Sequence, residues 1–205
     1  MTVMPMFPLE SVLFPAMPTA LRIFEERYLV MLAHIGQQEV AEFGIVLIER
    51  GSEAGGGEQR FGIGTVAQIT QMDSVERVVG LVARGTRRIE VTRWLADDPH
   101  PQAEVQDLPE LVWSESLQPL RVEAERIVRR TLAQASEFSE QVWSAAVEVS
   151  DDPVEACWQL AGIAPVGPLD QLRLLRAATA DELLRGIIDT TTGAAEAITA
   201  EWGDS

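Results

Sequence analysis

Lysine is absent from this chain of 205 residues, and all 16 of its basic side chains are arginine. A P-loop ATPase needs a lysine that reaches the β- and γ-phosphates, so this chain cannot form one. Serine–lysine dyads, Schiff-base chemistry and cofactors carried on a lysine are excluded for the same reason. This one absence removes several large enzyme classes.

Cysteine is nearly absent, since Cys157 is the only one. A single cysteine cannot form an internal disulfide, which fits a reducing compartment. No apolar run approaches the roughly 20 residues that a membrane-spanning helix needs. No basic residue precedes Arg22, so the N-terminus does not resemble a secretory signal. We therefore expect a cytoplasmic protein without a membrane segment.

Positive charge is also scarce, because 32 acids outnumber the 16 bases and give a net charge of −16. Such a surface repels phosphate backbones, so nucleic acid is not an expected partner. The densest basic cluster is Arg84, Arg87, Arg88 and Arg93. On a strand, Arg87 and Arg93 share one face and Arg88 lies on the other. We interpret the cluster as a salt-bridged strand face, with a phosphate site as the alternative.

The opening stretch, residues 7–28, organises the rest of the chain. Pro8, Pro15 and Pro18 restrict the backbone and favour extended geometry before each proline. The stretch therefore predicts a strand, a rigid bend, a second extended piece and a helix that opens at Phe24-Glu25. Its large apolar residues are expected in the core; they are Phe7, Leu9, Val12, Leu13, Phe14, Leu21, Ile23, Phe24 and Tyr28.

Strands and helices are segregated along the sequence. The patterns predict one early helix at residues 25–35, and strands at residues 43–49, 61–72, 75–83, 87–94 and 103–108, with a turn at residues 84–86. After Pro109 they predict helices at residues 116–137 and 138–149, helices that begin near Asp152, Pro168 and Thr179, and a frayed helix from 190 to 205. This segregation indicates an α+β fold: a β-rich lobe over residues 1–110 and an α-helical lobe over residues 111–205.

Several motifs in this order resemble one family. They are Phe7-Pro-Leu, Val12-Leu-Phe-Pro15, Leu21-Arg-Ile-Phe-Glu-Glu-Arg-Tyr28, Phe43-Gly-Ile-Val-Leu47 and Gly64-Thr-Val-Ala67. Together they resemble the N-terminal, substrate-binding domain of Lon proteases, and most closely its stand-alone bacterial form. The resemblance is dense over about residues 5–108. It continues loosely through the helices, where Asp170-Gln-Leu-Arg-Leu-Leu175 is similar to a helix of the family.

The resemblance implies a PUA-like, mostly antiparallel β lobe, or pseudo-barrel, followed by a helical bundle. It also implies recognition of unfolded or tagged polypeptides, or docking on a partner. The ATPase and protease modules that follow the domain in Lon are not in this sequence. The family usually has histidine and proline where this chain has Arg22 and Glu26. No catalytic role can be carried over from the family to a residue of this chain.

The candidates for chemistry are weak. The glycines at residues 55–57 offer backbone amides to an anion, but acidic residues flank them and no helix follows. Gly62-Ile-Gly64 lacks the third glycine of a dinucleotide fingerprint. His34, His100 and Cys157 show neither metal-ligand spacing nor a nucleophile motif. We therefore predict no catalytic residue, no cofactor and no metal.

Peptide binding is the favoured activity, and tryptophan and methionine are the side chains that suit it. The candidate residues are Trp94, Leu95, Trp113, Met17, Met31 and Met72. The alternative is packing between the lobes for the first three and core filling for the methionines. Trp94, Leu95 and Trp113 flank the boundary between strands and helices, which suggests a groove between the lobes. The chain is thus predicted to be a non-catalytic module that binds unfolded or extended polypeptides. The alternatives are a scaffold that docks on one protein partner, such as a protease or an adaptor, and a small hydrolase.

Overall fold

The computed structural model describes residues 2–51, 53, 59–75 and 78–202. In this part of the chain six strands and one helix are followed by four helices, which confirms the predicted α+β class. The elements are β1 Thr2–Leu9, β2 Pro18–Ile23, α1 Glu26–Ile35, β3 Glu42–Arg50, β4 Gln59–Val75, β5 Val78–Trp94, β6 Gln102–Asp107, a 3-10 turn Glu115–Leu117, α2 Gln118–Ser136, α3 Pro153–Ile163, α4 Pro168–Leu175 and α5 Ala180–Trp202. They divide into two compact units, Met1–Glu110 and Leu111–Ser205.

The sheet of the first unit returns on itself through β5. Its strand order is β2-β5-β4-β3-β1-β6, and β6 pairs again with β5. The β1–β3 pair is parallel and the other pairs are antiparallel. The five strands β5, β4, β3, β1 and β6 therefore form a closed circuit, while β2 lies beside β5 outside it. This arrangement is compatible with the predicted pseudo-barrel.

Alternating apolar residues of the circuit fill the interior of the first unit. One buried cluster comes from β1, β3, β4, β5 and β6, and Val91 and Trp94 pack against it. Its members are Met4, Met6, Val46, Val66, Ile89, Ala103 and Val105. A Cβ on Gly44 would lie 2.5 Å from the sulfur of Met6, so this interior leaves no room for a side chain there. The cluster thus fixes the strands around a tightly packed core.

The opening stretch folds as predicted, into a strand, a bend, a second strand and a helix. Phe7 stacks on Tyr28 with ring centroids 4.1 Å apart, so this stretch packs its own strand against its own helix. Thr65 is buried, and its hydroxyl donates to the carbonyl of Leu13 at 2.6 Å. One core assignment is wrong: Phe24 is 63% exposed. Phe24 lies in the short link between β2 and α1, where neither the strand nor the helix periodicity of buried residues applies.

The predicted turn at residues 84–86 is also wrong, because β5 continues through it. Gly85 donates its N–H to the carbonyl of Met17 and accepts from the N–H of Ala16, at 2.9 and 2.8 Å. A Cβ on Gly85 would lie 2.1 Å from the carbonyl oxygen of Phe14. The glycine therefore permits a close approach of two backbone segments. Glycine is favoured both at a close approach and in a turn, so the sequence alone does not distinguish them.

We expect Gly85→Ala to lower the free energy of unfolding by about 3 kcal/mol, because the methyl group meets backbone that cannot move aside. Urea denaturation followed by circular dichroism measures the change. Gly80→Ala is the matched control in the same strand, since its Cβ would lie 4.0 Å from the nearest atom, the carbonyl oxygen of Asp73. Equal stability of the two variants would refute the close-approach explanation.

Two helices of the second unit, α3 and α5, begin with side-chain caps. The Asp152 carboxylate accepts from the backbone N–H groups of Val154 and Glu155 at 3.0 and 2.9 Å, and Pro153 opens α3. At α5, the Thr179 hydroxyl accepts from the N–H of Glu182, whose carboxylate accepts from the N–H of Ala178. Both predicted caps are thus confirmed, and they satisfy donors that the first helical turn cannot satisfy itself.

The helix predicted at residues 138–149 is not present; α2 ends at Ser136 and an irregular segment reaches α3. Arg129 holds this segment, because its guanidinium donates to the carbonyls of Ala145 and Val147 at 2.6 and 2.9 Å. The same guanidinium pairs with Glu125 at 2.9 Å. These contacts hold the segment in a non-helical conformation, so a tertiary interaction overrides the local pattern.

The end of the chain is more regular than expected, since α5 runs to Trp202 instead of fraying from residue 190. The hydroxyls of Thr190 and Thr199 donate to the carbonyls of Gly186 and Ala195, one turn earlier. These bonds satisfy the threonine hydroxyls locally. Gln134 of α2 also donates to Thr199, which ties the last turns of α5 to its neighbour.

We expect Arg129→Ala to release the irregular segment while leaving the helices intact. Loss of its charged hydrogen bonds removes about 2 kcal/mol of docking free energy, which raises the open population about thirtyfold. Chymotrypsin cleavage after Phe138 and Trp143 should accelerate accordingly. The matched control is Arg130→Ala on the exposed face of α2. Unchanged cleavage in Arg129→Ala would show that other contacts hold the segment.

Candidate functional site

The arginine-rich strand forms a salt-bridged face, as predicted. Arg87 donates to both carboxylate oxygens of Glu42 at 2.7 and 2.9 Å and to Asp107 at 3.1 Å, and Arg93 pairs with Glu104. Hydrogen bonding from Arg87 lowers the pKa of Glu42 in spite of partial burial, and the bond to Glu42 raises the pKa of Arg87. These guanidinium groups join β3, β5 and β6 through carboxylates that compete with any phosphate.

Arg88 points to the other side of the strand, as its alternation with Arg87 predicts. It is 5% exposed and donates to the carbonyl of Pro109 at 2.8 Å, after β6. The Leu108 N–H donates to the Arg88 carbonyl at 2.9 Å, so side chain and backbone both hold the end of the first unit. Arg88 thus has a structural role.

The two histidines are neighbours, which their separation in sequence did not indicate. The rings of His34 and His100 meet edge to face with centroids 6.4 Å apart, and His100 Nδ1 lies 3.1 Å from the Pro101 carbonyl oxygen. Only contact mapping could have found this pair, since it depends on where α1 packs against the loop after β5. Among the described residues, no group of three or more metal-ligating side chains forms a cluster. The glycines at residues 55–57 lie outside the described residues.

Cys157 is the remaining nucleophile candidate, and its surroundings suppress its reactivity. The residue is fully buried in α3. Burial raises the pKa of its thiol to about 11; the charge of Arg121 lowers it by less, and the charge of Asp152 raises it further. Because the thiolate is the nucleophile, a buried thiol with a raised pKa is chemically inert.

We therefore expect iodoacetamide to alkylate Cys157 only when the protein unfolds. At pH 8 a thiol with a pKa of about 11 instead of 9.0 contains about a hundredfold less thiolate, and burial slows the reaction further. Mass spectrometry of native and guanidinium-treated samples measures the rates, and the unfolded protein is the internal control. Rapid alkylation of the native protein would reopen the nucleophile hypothesis.

The sequence-predicted peptide-binding residues occupy different environments. Met17 and Met31 are buried in the core of the first unit, at 6% and 0% exposure. Met72 is 54% exposed on β4. Trp113, in the second unit, is half-buried and donates its Nε1–H to Glu115 at 3.2 Å. Of the three methionines, Met72 alone presents an exposed surface.

Trp94 is held at the end of β5 by a stacked arginine. The Arg60 guanidinium lies 4.7 Å from the ring centroid and donates to both carboxylate oxygens of Asp97, at 2.7 and 3.3 Å. Trp94 also packs against the core cluster. Leu95 is half-buried, and its N–H donates to the Gln102 carbonyl at 2.9 Å. These contacts give Trp94 and Leu95 a structural role.

An exposed apolar surface lies instead on a three-stranded segment formed by β2, residues 78–82 of β5 and residues 71–75 of β4. The last pair of β4 with β3 is Glu42–Gln68, so the segment extends past β3. In one register row Leu21 pairs with Leu81 and Leu81 pairs with Met72. The row is apolar across all three strands, but Leu81 at its centre is 3% exposed and Leu21 is half-buried, so Met72 is its exposed member.

The end of this three-stranded segment carries two more exposed apolar side chains, Val75 at 68% and Phe24 at 63%. Val75 pairs with Val78, and Phe24 follows Ile23, the partner of Val79. Single exposed apolar residues are normal on a surface. Met72 and Val75 lie three residues apart in an unshifted register, so they face opposite sides of the sheet. With Phe24 they place exposed apolar groups on both faces at this end of the segment, which makes it the candidate binding region. Of these three residues, sequence reasoning identified only Met72 as a candidate.

Comparison with known proteins decides the family. The model of the ATP-dependent protease La (LON) substrate-binding domain matches residues 3–192. The chain belongs to this family. No curated protein sequence matches the chain closely enough to count as a relative.

Solved structures agree with this assignment. A Lon N-terminal domain protein from Xanthomonas campestris is 25% identical over 92% of this chain and 98% of its own, with a TM-score of 0.67. The N-terminal domain of Lon protease from Mycobacterium avium complex is 18% identical over 93% of this chain and 98% of its own, with a TM-score of 0.65. At 18% identity the second likeness shows the fold alone. This Lon-family chain is thus a substrate-binding module linked to proteolysis.

No helix in the described part of this Lon-family chain is both long and apolar enough to cross a membrane.

Proposed function

We propose that this Lon-family chain is a non-catalytic module that binds unfolded or extended polypeptides in the cytoplasm and serves protein quality control or proteolysis. The observation that carries the proposal is the exposed apolar side chains of Phe24, Met72 and Val75 at one end of the three-stranded segment. Unfolded polypeptides expose apolar side chains that folded proteins bury, so an apolar surface distinguishes the two.

The net charge of the chain supports the proposal and limits which polypeptides can bind. A net charge of −16 keeps a protein with exposed apolar surface apart from other copies of itself. The same field attracts basic segments and repels acidic ones and nucleic acid. Neutral or basic unfolded polypeptides are therefore the preferred clients.

We expect the double variant Phe24→Ser with Met72→Ser to bind an unfolded client about tenfold more weakly. Burial of the exposed parts of these side chains contributes about 1.4 kcal/mol, which corresponds to that factor. The probe is fluorescein-labelled ribonuclease A, reduced and S-carbamidomethylated so that it is basic and cannot refold. Fluorescence anisotropy gives the Kd, and native ribonuclease A should not bind.

The matched control for this experiment is Leu169→Ser, because Leu169 is 65% exposed on α4 in the other unit. Equal affinities of the double variant, the control and the unchanged chain would contradict the apolar surface. The same titration with Trp113→Ala and Trp94→Ala tests the sequence-predicted residues near the unit boundary. A pull-down that returns one stoichiometric partner and no unfolded clients would favour the scaffold alternative.

A further inference from the structure

Strand β2 has one neighbour in the sheet. It pairs with β5 over six residues, from Pro18–Arg84 to Ile23–Val79. On its other side no strand of the described residues pairs with it, so β2 is an edge strand. Pro18, Ala20 and Arg22 are exposed along it. Within the described ranges, this edge of the sheet is therefore unpaired.

The register shows which backbone groups face outward. The Gly85 N–H donates to the Met17 carbonyl at 2.9 Å, just before β2 begins. Because antiparallel hydrogen bonding alternates along a strand, Thr19, Leu21 and Ile23 direct their backbone N–H and C=O groups towards β5. Ala20 and Arg22 direct theirs away from β5, to the open side.

A second contact agrees with this alternation. The Thr70 hydroxyl of β4 donates to the Val82 carbonyl at 3.1 Å. Val82 pairs with Ala20, and its carbonyl therefore points to β4 and away from β2. Ala20 and Val82 form a pair without mutual hydrogen bonds, which leaves the N–H and C=O of Ala20 directed outward.

We propose that the open edge of β2 binds an extended segment of a client polypeptide as an additional strand of the sheet. This inference rests on the proposed function and names its binding mode. The outward N–H and C=O groups of Ala20 and Arg22 bond the main chain of the client. The client side chains on one face then lie beside Leu21, in the hydrophobic row that ends at Met72. Main-chain bonding tolerates many sequences, as a module for diverse clients requires.

Charge selects a client polypeptide over a second copy of this chain. Pairing of two β2 edges would bring together two molecules that each carry a net charge of −16. Such like charges oppose association, whereas a neutral or basic polypeptide meets no repulsion. The occupant of this edge is therefore an extended polypeptide of neutral or basic composition.

The first test is Ala20→Pro, which removes one outward N–H. The change leaves the bonds between β2 and β5 in place, and proline is tolerated on the solvent side of an edge strand. The probe is a fluorescein-labelled peptide of alternating valine and threonine, flanked by arginines. We expect Ala20→Pro to raise its Kd about fivefold, the effect of one hydrogen bond. The matched control, Ala20→Val, keeps the N–H and should bind like the unchanged chain.

The second test leaves the protein unaltered, so it holds even where Ala20→Pro disturbs folding. The probe peptide is N-methylated at every second residue, in one of the two possible registers. Strand addition predicts that one register loses affinity and that the other binds like the parent peptide, because only alternate N–H groups face β2. Equal affinities of both methylated peptides and the parent would overturn the proposal.

The outcomes separate this inference from the proposed function. An unchanged chain that binds the probe, with equal affinity for Ala20→Pro and for both methylated peptides, overturns strand addition alone. A chain that binds neither the probe nor alkylated ribonuclease A overturns both proposals. Sedimentation showing a dimer that Ala20→Pro dissociates would assign the edge to a second copy and overturn the client as its occupant.

Discussion

The first unit depends on the two-sided pairing of β5. This strand of 17 residues pairs with β2 and β4 along its N-terminal half and with β4 and β6 along its C-terminal half. One strand can pair with β2 at one end and β6 at the other only if it bends. Irregular pairing of β5 with its neighbours permits the bend. The register shifts lie between Thr65 and Ala67, between Ile69 and Gln71, and between Val91 and Arg93. Gly85 lies in the middle of this strand, where the backbone meets Phe14.

Closure of the circuit has a consequence for binding. A closed circuit hides strand edges, and a protein that binds extended chains through a sheet needs an edge that stays open. Here β2 lies outside the circuit and supplies it. The circuit keeps β5 fixed, so β2 presents an ordered template and the client alone loses conformational freedom on binding.

The lack of lysine matches the way basic side chains are used. Arg87 bonds to both Glu42 and Asp107. Arg60 stacks on Trp94 and donates to Asp97. Arg129 pairs with Glu125 and donates to two backbone carbonyls. Each role needs a planar group with several donors in fixed directions, and a lysine ammonium cannot fill it. In a chain with half as many bases as acids, each of these arginines serves more than one partner.

The sequence predicted what depends on local pattern and missed what depends on distant contacts. Proline positions and capping residues such as Asp152 located the opening strands and the helix starts. Gly85 was misread, because a close approach to Phe14 and a turn both require glycine. The segment after Ser136 has a helical pattern, but Arg129 binds its carbonyls. For the candidate site, Met72 was identified, while Phe24 was assigned to the core because hydrophobicity alone does not show which residues pack.

Energetic magnitudes indicate why binding at the β2 edge needs the apolar side chains beside it. Ordering a client residue in a strand costs about 1–2 kcal/mol of backbone entropy, and one net hydrogen bond returns about 1 kcal/mol. An added strand bonds to β2 through only alternate residues, so main-chain bonds alone cannot hold it. The remainder must come from apolar side chains against Leu21 and Phe24, each of which contributes about 1 kcal/mol or more when buried. Met72 on β4 lies three strand spacings, about 14 Å, from a strand added beside β2. A segment without apolar side chains would not stay bound. Selectivity for unfolded polypeptides then follows, because a folded protein offers neither a free strand nor exposed apolar residues.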